Sequence, residues 1–174
     1  YSKAVELDPE NSKIYSWRAD IKEILKDYQG AIDDYSKALQ LNSLSPITLN
    51  RRGLAKYYLR DYQGAIDDCE KAINLDPNNE KIYSLRADAK CSLKDFQGAI
   101  HDCTKAIELV PNDPYLYFLR AKAKYFLEDF QGAIYDYCKA IEWNPTYELR
   151  EKILKSRSKV YRVLSNLDLE NSQN

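Results

Sequence analysis

The chain has 174 residues, of which 44% are hydrophobic and 30% are charged, a balance typical of a folded protein and not of a disordered one. Its 26 Lys and Arg residues against 27 Asp and Glu residues give a net charge of -1, which argues against a dedicated nucleic-acid-binding protein. No apolar run approaches the roughly 18 residues that a membrane span requires, so we expect no membrane association.

A four-residue motif recurs along the chain at a fixed interval. Gln-Gly-Ala-Ile begins at Gln29, Gln63, Gln97 and Gln131, each 34 residues after the previous copy. A fixed period between about 20 and 50 residues is typical of stacked supersecondary units. The sequence therefore predicts an array of repeats.

The sequence predicts two helices in each repeat, which we call helix A and helix B. Strong N-cap residues recur where helix A would begin: Asn11, Ser45, Asn79 and Asp113. An aspartate recurs where helix B would begin: Asp27, Asp61, Asp95 and Asp129. An aromatic residue follows each aspartate, and we expect it to wedge between the two helices. Alanine and isoleucine then recur at helical spacing, which predicts an amphipathic helix B.

Each helix B also carries a glycine near its start: Gly30, Gly64, Gly98 and Gly132. A glycine inside a helix costs about 1 kcal/mol relative to alanine, so we expect a compensating gain. Small residues at matching levels would let helices A and B approach closely. We therefore interpret these glycines as packing residues.

These landmarks resemble those of the tetratricopeptide repeat, a 34-residue helix–turn–helix unit. In the last copy the alanine, aromatic, alanine and proline landmarks are Ala133, Tyr137, Ala140 and Pro145, while Ser43 replaces the proline of the first full copy. The resemblance implies an all-α, right-handed α-solenoid of antiparallel helix pairs. The recurring helix-A pattern Arg-(Ala/Gly)-x-x-Lys looks like that of a common bacterial subclass.

The resemblance also gives boundaries within a single array at 1–167. An orphan helix B at 1–9 precedes four full repeats at 12–45, 46–79, 80–113 and 114–147. A capping helix at 148–167 follows, with an apolar stripe of Leu149, Ile153, Val160, Leu164 and Leu167, and we expect 168–174 to be frayed.

Opposite charges recur on the two helices. Helix A carries Arg18, Arg52, Arg86 and Arg120, and helix B carries Asp34, Asp68, Asp102 and Asp136. We hypothesise that each arginine bridges to an aspartate of its own or the next repeat, forming a charge ladder. The alternative is a set of independent solvated charges, each worth about 0–1 kcal/mol.

The residues that catalysis or metal binding would need are not brought together by the sequence. The one histidine, His101, falls at a helix-B position that holds aspartate or tyrosine in other repeats, so we expect it to be exposed. Cys69 and Cys103 stand where two repeats have tyrosine, which predicts buried thiols and a reducing, cytoplasmic compartment. We predict no enzymatic activity, no cofactor and no metal.

The resemblance implies that the A helices line a concave groove for a protein or peptide partner. The residues carried over to that groove vary between repeats while the packing residues stay fixed, as separate demands of fold and partner would produce. We predict contact by Trp17, Asn50, Arg51, Leu54, Tyr57, Tyr58, Leu85, Tyr115, Phe118, Leu119, Lys122 and Phe126.

The predicted ligand is an amphipathic helix or an extended peptide. Its apolar anchors would lie on the aromatic and leucine residues, and Arg51 would orient a carboxylate or a backbone carbonyl. For Phe118, Leu119 and Phe126, packing against a neighbouring helix remains an alternative. Chaperone-binding members of the family grip a C-terminal carboxylate with Lys, Asn and Arg, and of the corresponding residues only Lys81 fits.

The alternative function is a structural or self-assembly module. Apolar surface near Tyr1 and Leu7 would then join two copies into a homo-oligomer, or the array would space the domains of a larger protein. The last helix also has a basic face, which includes Lys155 and Arg157. We interpret it as the polar side of a capping helix and do not expect nucleic acid as a partner.

Overall fold

The computed structural model describes residues 1–42 and 45–171, with the backbone alone for residue 2 and for residues 167–171. Within these residues the chain forms ten α-helices and no β-strand, which confirms the predicted all-α fold. In chain order the helices are α1 (Ser2–Leu7), α2 (Ser12–Ile24), α3 (Tyr28–Leu41), α4 (Pro46–Tyr58), α5 (Tyr62–Leu75), α6 (Glu80–Ser92), α7 (Phe96–Leu109), α8 (Pro114–Phe126), α9 (Phe130–Glu142) and α10 (Tyr147–Asn171).

The helices belong to two compact units, Tyr1–Leu93 (unit 1) and Lys94–Asn174 (unit 2). In unit 1, α2 packs against α3, α3 against α4, α4 against α5 and α5 against α6, and α4 also contacts α6. In unit 2, α7 packs against α8 and α8 against α9, while α10 contacts both α8 and α9. Each unit is thus built from helix hairpins of the α-solenoid class. The single array at 1–167 stays a prediction.

A short turn of one recurring geometry joins helix A to helix B. In the first repeat the N–H of Asp27 donates to the carbonyl of Lys22 at 2.8 Å, and the N–H of Lys26 donates to that of Glu23 at 2.9 Å. These two bonds form a Schellman motif, in which the residue after the helix adopts the left-handed conformation. Lys26 does so with φ 62°, and Arg60, Lys94 and Glu128 do so at the equivalent positions.

The predicted caps are confirmed at both helices of the repeat. Asn11 and its three equivalents each accept a hydrogen bond from a backbone N–H two or three residues later. Asp27 and its three equivalents each accept from the N–H of the glycine three residues later. Such caps satisfy N–H groups that the helix leaves without an internal partner.

The predicted packing role of the glycines is wrong. Gly30 is the third residue of α3, and a Cβ atom there would overlap the carboxylate of Asp27, the residue that caps the helix. The same overlap occurs at Gly64, Gly98 and Gly132. Glycine is therefore needed to keep the cap in place. Close approach of helices is supplied instead by fully buried alanines, such as Ala19, Ala31 and Ala55, which pack around Tyr35.

The recurring aspartates of helix B are buried and bind two cations each in three of the helix pairs. Arg52 donates to both oxygens of Asp68 at 2.6 and 2.9 Å, and Lys56 lies 2.9 Å from one of them. The same triad forms with Arg18, Lys22 and Asp34, and with Arg120, Lys124 and Asp136. The interpretation as independent solvated charges is therefore wrong, because each aspartate is inside the protein.

The triads link the repeats through hydroxyl groups. Arg52 reaches Ser36 of the preceding repeat at 3.1 Å, and Arg120 reaches Thr104 at 3.2 Å, so the ion pairs lie within a repeat and the hydroxyl contacts lie between repeats. The hydrogen bond with Asp34 raises the pKa of Arg18. Burial alone would raise the pKa of Asp34, but hydrogen bonds from Arg18 and Lys22 outweigh it and lower that pKa.

The last helix covers the core of unit 2. Ile153 and Val160 are fully buried against a cluster that includes Phe118 and Tyr137, and Leu149 and Leu164 pack at its edge. The helix ends at Asn171, past the predicted end at Leu167. The expectation that residues 168–171 are frayed is therefore wrong, since they are helical. The structure does not describe residues 172–174, the side chain of Leu167 or Ser43, so the predictions for them are not tested.

Candidate functional site

A cleft of about 460 Å³ opens on unit 1 between the A helices α2 and α4. One wall is formed by α2 and the other by α4, and residues of α3 form the floor. Its principal lining residues are Lys13, Ser16, Trp17 and Asp20 of α2, Tyr35 and Ala38 of α3, and Ile47 and Arg51 of α4. The structure therefore brings together Trp17 and Arg51, two of the residues that the sequence singled out.

The cleft is open because of the residue at one position of helix A. This position holds Trp17 in α2, Arg51 in α4 and Leu85 in α6. Leu85 is 7% exposed and packs on Leu49 and Ile82, which closes the contact between α4 and α6. Arg51 instead leaves its side chain half-exposed and directs its guanidinium toward carboxylates of α2. No apolar side chain of α4 at this position fills the space beside Trp17.

Two carboxylates meet one hydroxyl beside the cleft, which Asp20 and Tyr35 line and Glu23 does not. The buried Tyr35 has its hydroxyl oxygen 2.6 Å from Asp20 Oδ1 and 3.0 Å from Glu23 Oε2. Arg51 lies 3.8 Å from each carboxylate, which is longer than a hydrogen bond. Burial, reinforced by the hydrogen bond to Asp20, raises the pKa of Tyr35 well above its usual range. Tyr35 is therefore a neutral donor that holds the acidic pair in place.

The other part of the cleft is apolar and exposed. Trp17 is 51% exposed and Ile47 is 67% exposed, on opposite walls. The ring of Trp17 lies beside that of Tyr1, with centroids 6.3 Å apart. Large apolar side chains that face water across a cleft are typical of partner-binding surfaces.

The other candidates of unit 1 differ in accessibility. Tyr58 is exposed and stacks on Tyr28 with ring centroids 4.8 Å apart. Leu54 and Tyr57 are half-buried against the core, and burial, followed by the charge of Asp88, raises the pKa of Tyr57. Asn50 is half-buried, and its Oδ1 has no hydrogen-bond partner among the described residues.

Leu85 is not available to a ligand. Its side chain is part of the core cluster that joins α4, α5 and α6. The prediction that it contacts a partner is wrong for this reason, since binding would require the cluster to open.

In unit 2 the predicted anchors separate into two exposed residues and two buried ones. Tyr115 and Phe126 face solvent, and Phe126 stacks on Phe96 at 4.7 Å. Phe118 lies 6.1 Å from Tyr137 in the core, and Leu119 is 1% exposed.

These positions decide between partner contact and packing inside the protein for Phe118, Leu119 and Phe126. Phe118 and Leu119 pack inside the protein, so their prediction as partner contacts is wrong. Phe126 remains exposed. Lys122 is half-buried, with its ammonium group 5.7 Å from the centre of the Phe118 ring.

Sequence reasoning missed Glu23 and the hydroxyl of Tyr35. Glu23 follows Asp20 by three residues on α2, a spacing that places both on one helix face and could have signalled the pair. Tyr35 occupies a packing position of the repeat, and only the structure shows that its hydroxyl binds Asp20, a lining residue of the cleft.

The histidine and two of the cysteines lie in the surroundings that the sequence predicts. His101 is exposed on α7, as predicted, and Cys69 and Cys103 are buried thiols. In residues 1–42 and 45–171, no three His, Cys, Asp or Glu side chains meet as a metal site would require. Over the same ranges, none of the helices is both long and apolar enough to cross a membrane.

Models of the tetratricopeptide repeat match three segments of the chain, residues 12–43, 46–79 and 114–147. These segments make up more than half of the sequence. Among curated proteins, none matches this chain.

Solved structures show the same fold. MamA is 22% identical with a TM-score of 0.80, over 87% of this chain and 87% of that one. YrrB, described as a TPR protein with an unusual peptide-binding site, is 21% identical with a TM-score of 0.77, over 95% of this chain and 84% of that one. The first TPR of Spaghetti (RPAP3), bound to the HSP90 peptide SRMEEVD, is 25% identical with a TM-score of 0.67, over 70% of this chain and 96% of that one.

Proposed function

Because the chain belongs to the tetratricopeptide repeat family, we propose that it is a non-enzymatic protein-interaction scaffold whose partner binds in the cleft between α2 and α4. The observation that carries this proposal is the open cleft of about 460 Å³ with Trp17 and Ile47 exposed on its two walls. Its volume lies within the range of about 300–1,000 Å³ that ligand pockets occupy. The peptide-binding site described for YrrB and the peptide complex of the first TPR of RPAP3 support the same kind of partner.

The partner is a peptide segment with an apolar side chain. That side chain enters between Trp17 and Ile47 and contacts Ala38 on the floor. Arg51 donates to a backbone carbonyl of the peptide, since a ligand carboxylate would meet Asp20 and Glu23 nearby. Tyr58, Tyr115 and Phe126 offer further exposed contacts on their own units.

Catalysis has no part in this function, since tetratricopeptide repeats are typically interaction modules. A cytoplasmic location accords with the four thiols of the chain. Assignment to the bacterial subclass with Arg-(Ala/Gly)-x-x-Lys remains a prediction from the sequence.

The experiment is selection of binders from a phage-displayed library of random peptides, followed by titration of the enriched peptides. We expect Trp17→Ala to weaken their binding by about tenfold or more, because loss of an aromatic anchor costs about 2 kcal/mol. Trp143→Ala is the matched control, since Trp143 is also exposed but lies in unit 2. Equal binding by the Trp17→Ala and native proteins would exclude the cleft.

A second candidate function is self-association. It is favoured by α1, where Leu7 is 78% exposed and Tyr1 is also exposed. Burying such side chains between two copies would stabilise a homo-oligomer. Light scattering at micromolar concentrations should then give a dimer mass that Leu7→Ser returns to monomer, whereas a monomer mass for the native chain would exclude this candidate.

A further inference from the structure

We propose that the α2–α4 cleft selects peptides in which lysine or arginine lies within three residues of the apolar anchor, with the cation held by Asp20 and Glu23. This inference rests on the proposed function, since it concerns the chemistry of the same peptide. It differs from the acidic, carboxylate-ended ligand seen with RPAP3, whose bound peptide is SRMEEVD.

The hydroxyl of Tyr35 has too few hydrogen atoms to donate to both carboxylates of the acidic pair. A tyrosine hydroxyl has one hydrogen, yet the hydroxyl of Tyr35 lies 2.6 Å from Asp20 and 3.0 Å from Glu23. It can donate to one carboxylate at a time, so the other faces an oxygen lone pair. An ammonium or guanidinium group brings three or five N–H donors and would satisfy both carboxylates.

Charge is the second argument. Asp20, Glu23 and Arg51 together carry a net charge of -1, and one further cation brings the group to neutrality. Arg51 forms only long ion pairs with the two carboxylates, at 3.8 Å from each, and one cation balances one of the two charges. Its half-exposed side chain can move to a peptide carbonyl while the incoming cation takes its place beside the acidic pair. A peptide aspartate or glutamate at this end would be repelled.

Geometry places the cation close to the apolar anchor. Trp17 and Asp20 are three residues apart on α2, which is about 4.5 Å along the helix axis at a rise of about 1.5 Å per residue. A side chain docked on Trp17 and a lysine or arginine nearby in the same peptide can therefore bind together. Lys13 stands one turn before Trp17, so its positive charge lies toward the other end of the cleft from the acidic pair.

The test compares residue frequencies in peptides selected by the native chain and by Asp20→Asn/Glu23→Gln. The native chain should enrich lysine and arginine over aspartate and glutamate near the apolar residue by about tenfold. The double variant should keep the apolar preference and lose the basic one, since it removes charge and preserves shape. Asp33→Asn/Asp67→Asn, with two exposed carboxylates on α3 and α5, is the matched control and should select as the native chain does.

The outcomes separate this inference from the proposed function. Peptides that depend on Trp17 but show no basic preference would overturn the inference and leave the cleft as the binding site. A basic preference that survives in the double variant would also overturn it. Absence of any peptide whose binding depends on Trp17 would overturn the proposed function and the inference together. Thermal melting of each variant verifies that all are folded.

Discussion

The same position of helix A has opposite surroundings in two regions of the molecule. In α2 and α4 of unit 1 it places Trp17 and Arg51 on the walls of an open cleft, whereas Leu85 of α6 and, in unit 2, Leu119 of α8 are buried at this position. The backbone and the caps around these residues are alike, so the difference comes from the side chains. A repeat can therefore use one position for stability or for binding.

Both units contain the same buried triad of arginine, lysine and aspartate. Breaking this triad is predicted to have the largest effect. We expect Asp68→Asn in unit 1 and Asp136→Asn in unit 2 each to lower the free energy of unfolding by about 3–5 kcal/mol, because each leaves an arginine and a lysine without their buried counter-charge. Urea denaturation measures the change.

The exposed neighbour of Asp68 provides the control. Asp67→Asn should change the free energy of unfolding by no more than about 0.5 kcal/mol, as surface substitutions usually do. Equal losses for Asp67→Asn and Asp68→Asn would mean that the buried triads contribute nothing specific.

The second prediction concerns the shared position itself. Leu119→Ala should destabilise unit 2 by about 2–5 kcal/mol, since it leaves a cavity in a packed core. Trp17→Ala should lower stability by much less, because about half of the Trp17 surface already faces water. Both are measured by urea denaturation, and the comparison would fail if Trp17→Ala proved as costly as Leu119→Ala.

A third variant should make the α2–α4 cleft more like the closed region around Leu119. Arg51→Leu gives α4 the residue type that α6 and α8 carry at this position. The leucine should pack toward Trp17 and narrow the cleft, reducing peptide binding by about tenfold, or about 1.4 kcal/mol, with little loss of stability. Trp17 fluorescence should shift to shorter wavelength. Unchanged peptide affinity would show that the opening beside Arg51 is not where the peptide enters.

The smallest predicted effect concerns the caps that both units share. Gly64→Ala gains about 1 kcal/mol of helix propensity but displaces the Asp61 cap, which costs about the same, so the net change should be small. In an Asp61→Ala chain the gain should remain, giving a coupling of about 1 kcal/mol between the two sites. Gly53→Ala, whose Cβ would lie 3.4 Å or more from its neighbours, should show no such coupling with Asp61.

Much of the fold follows from the sequence because its signals are local. The 34-residue period, the caps at Asn11 and Asp27 and the alanines of helix B all act within one hairpin. The reason for Gly30 was harder to predict, since a glycine that keeps a cap and a glycine that admits a helix look alike in sequence. The structure distinguishes them, because a Cβ atom at Gly30 would overlap the carboxylate of Asp27.

The site was only partly predictable because exposure depends on neighbouring helices. Leu85 and Leu119 look like groove residues in the repeat pattern, yet the clusters they join bury them. The open cleft arises from one pairing, Trp17 with Arg51, and no single residue signals it. The second role of Tyr35 depends on carboxylates from another helix, which the sequence does not place in space.

The most direct test of the account is the fluorescence of Trp17 during peptide binding. In a Trp143→Phe chain Trp17 is the one remaining tryptophan, so its emission reports on the cleft alone. A selected peptide should shift or quench that emission with the same dissociation constant that calorimetry gives. Binding heat without any change in Trp17 emission would place the peptide elsewhere and contradict the account.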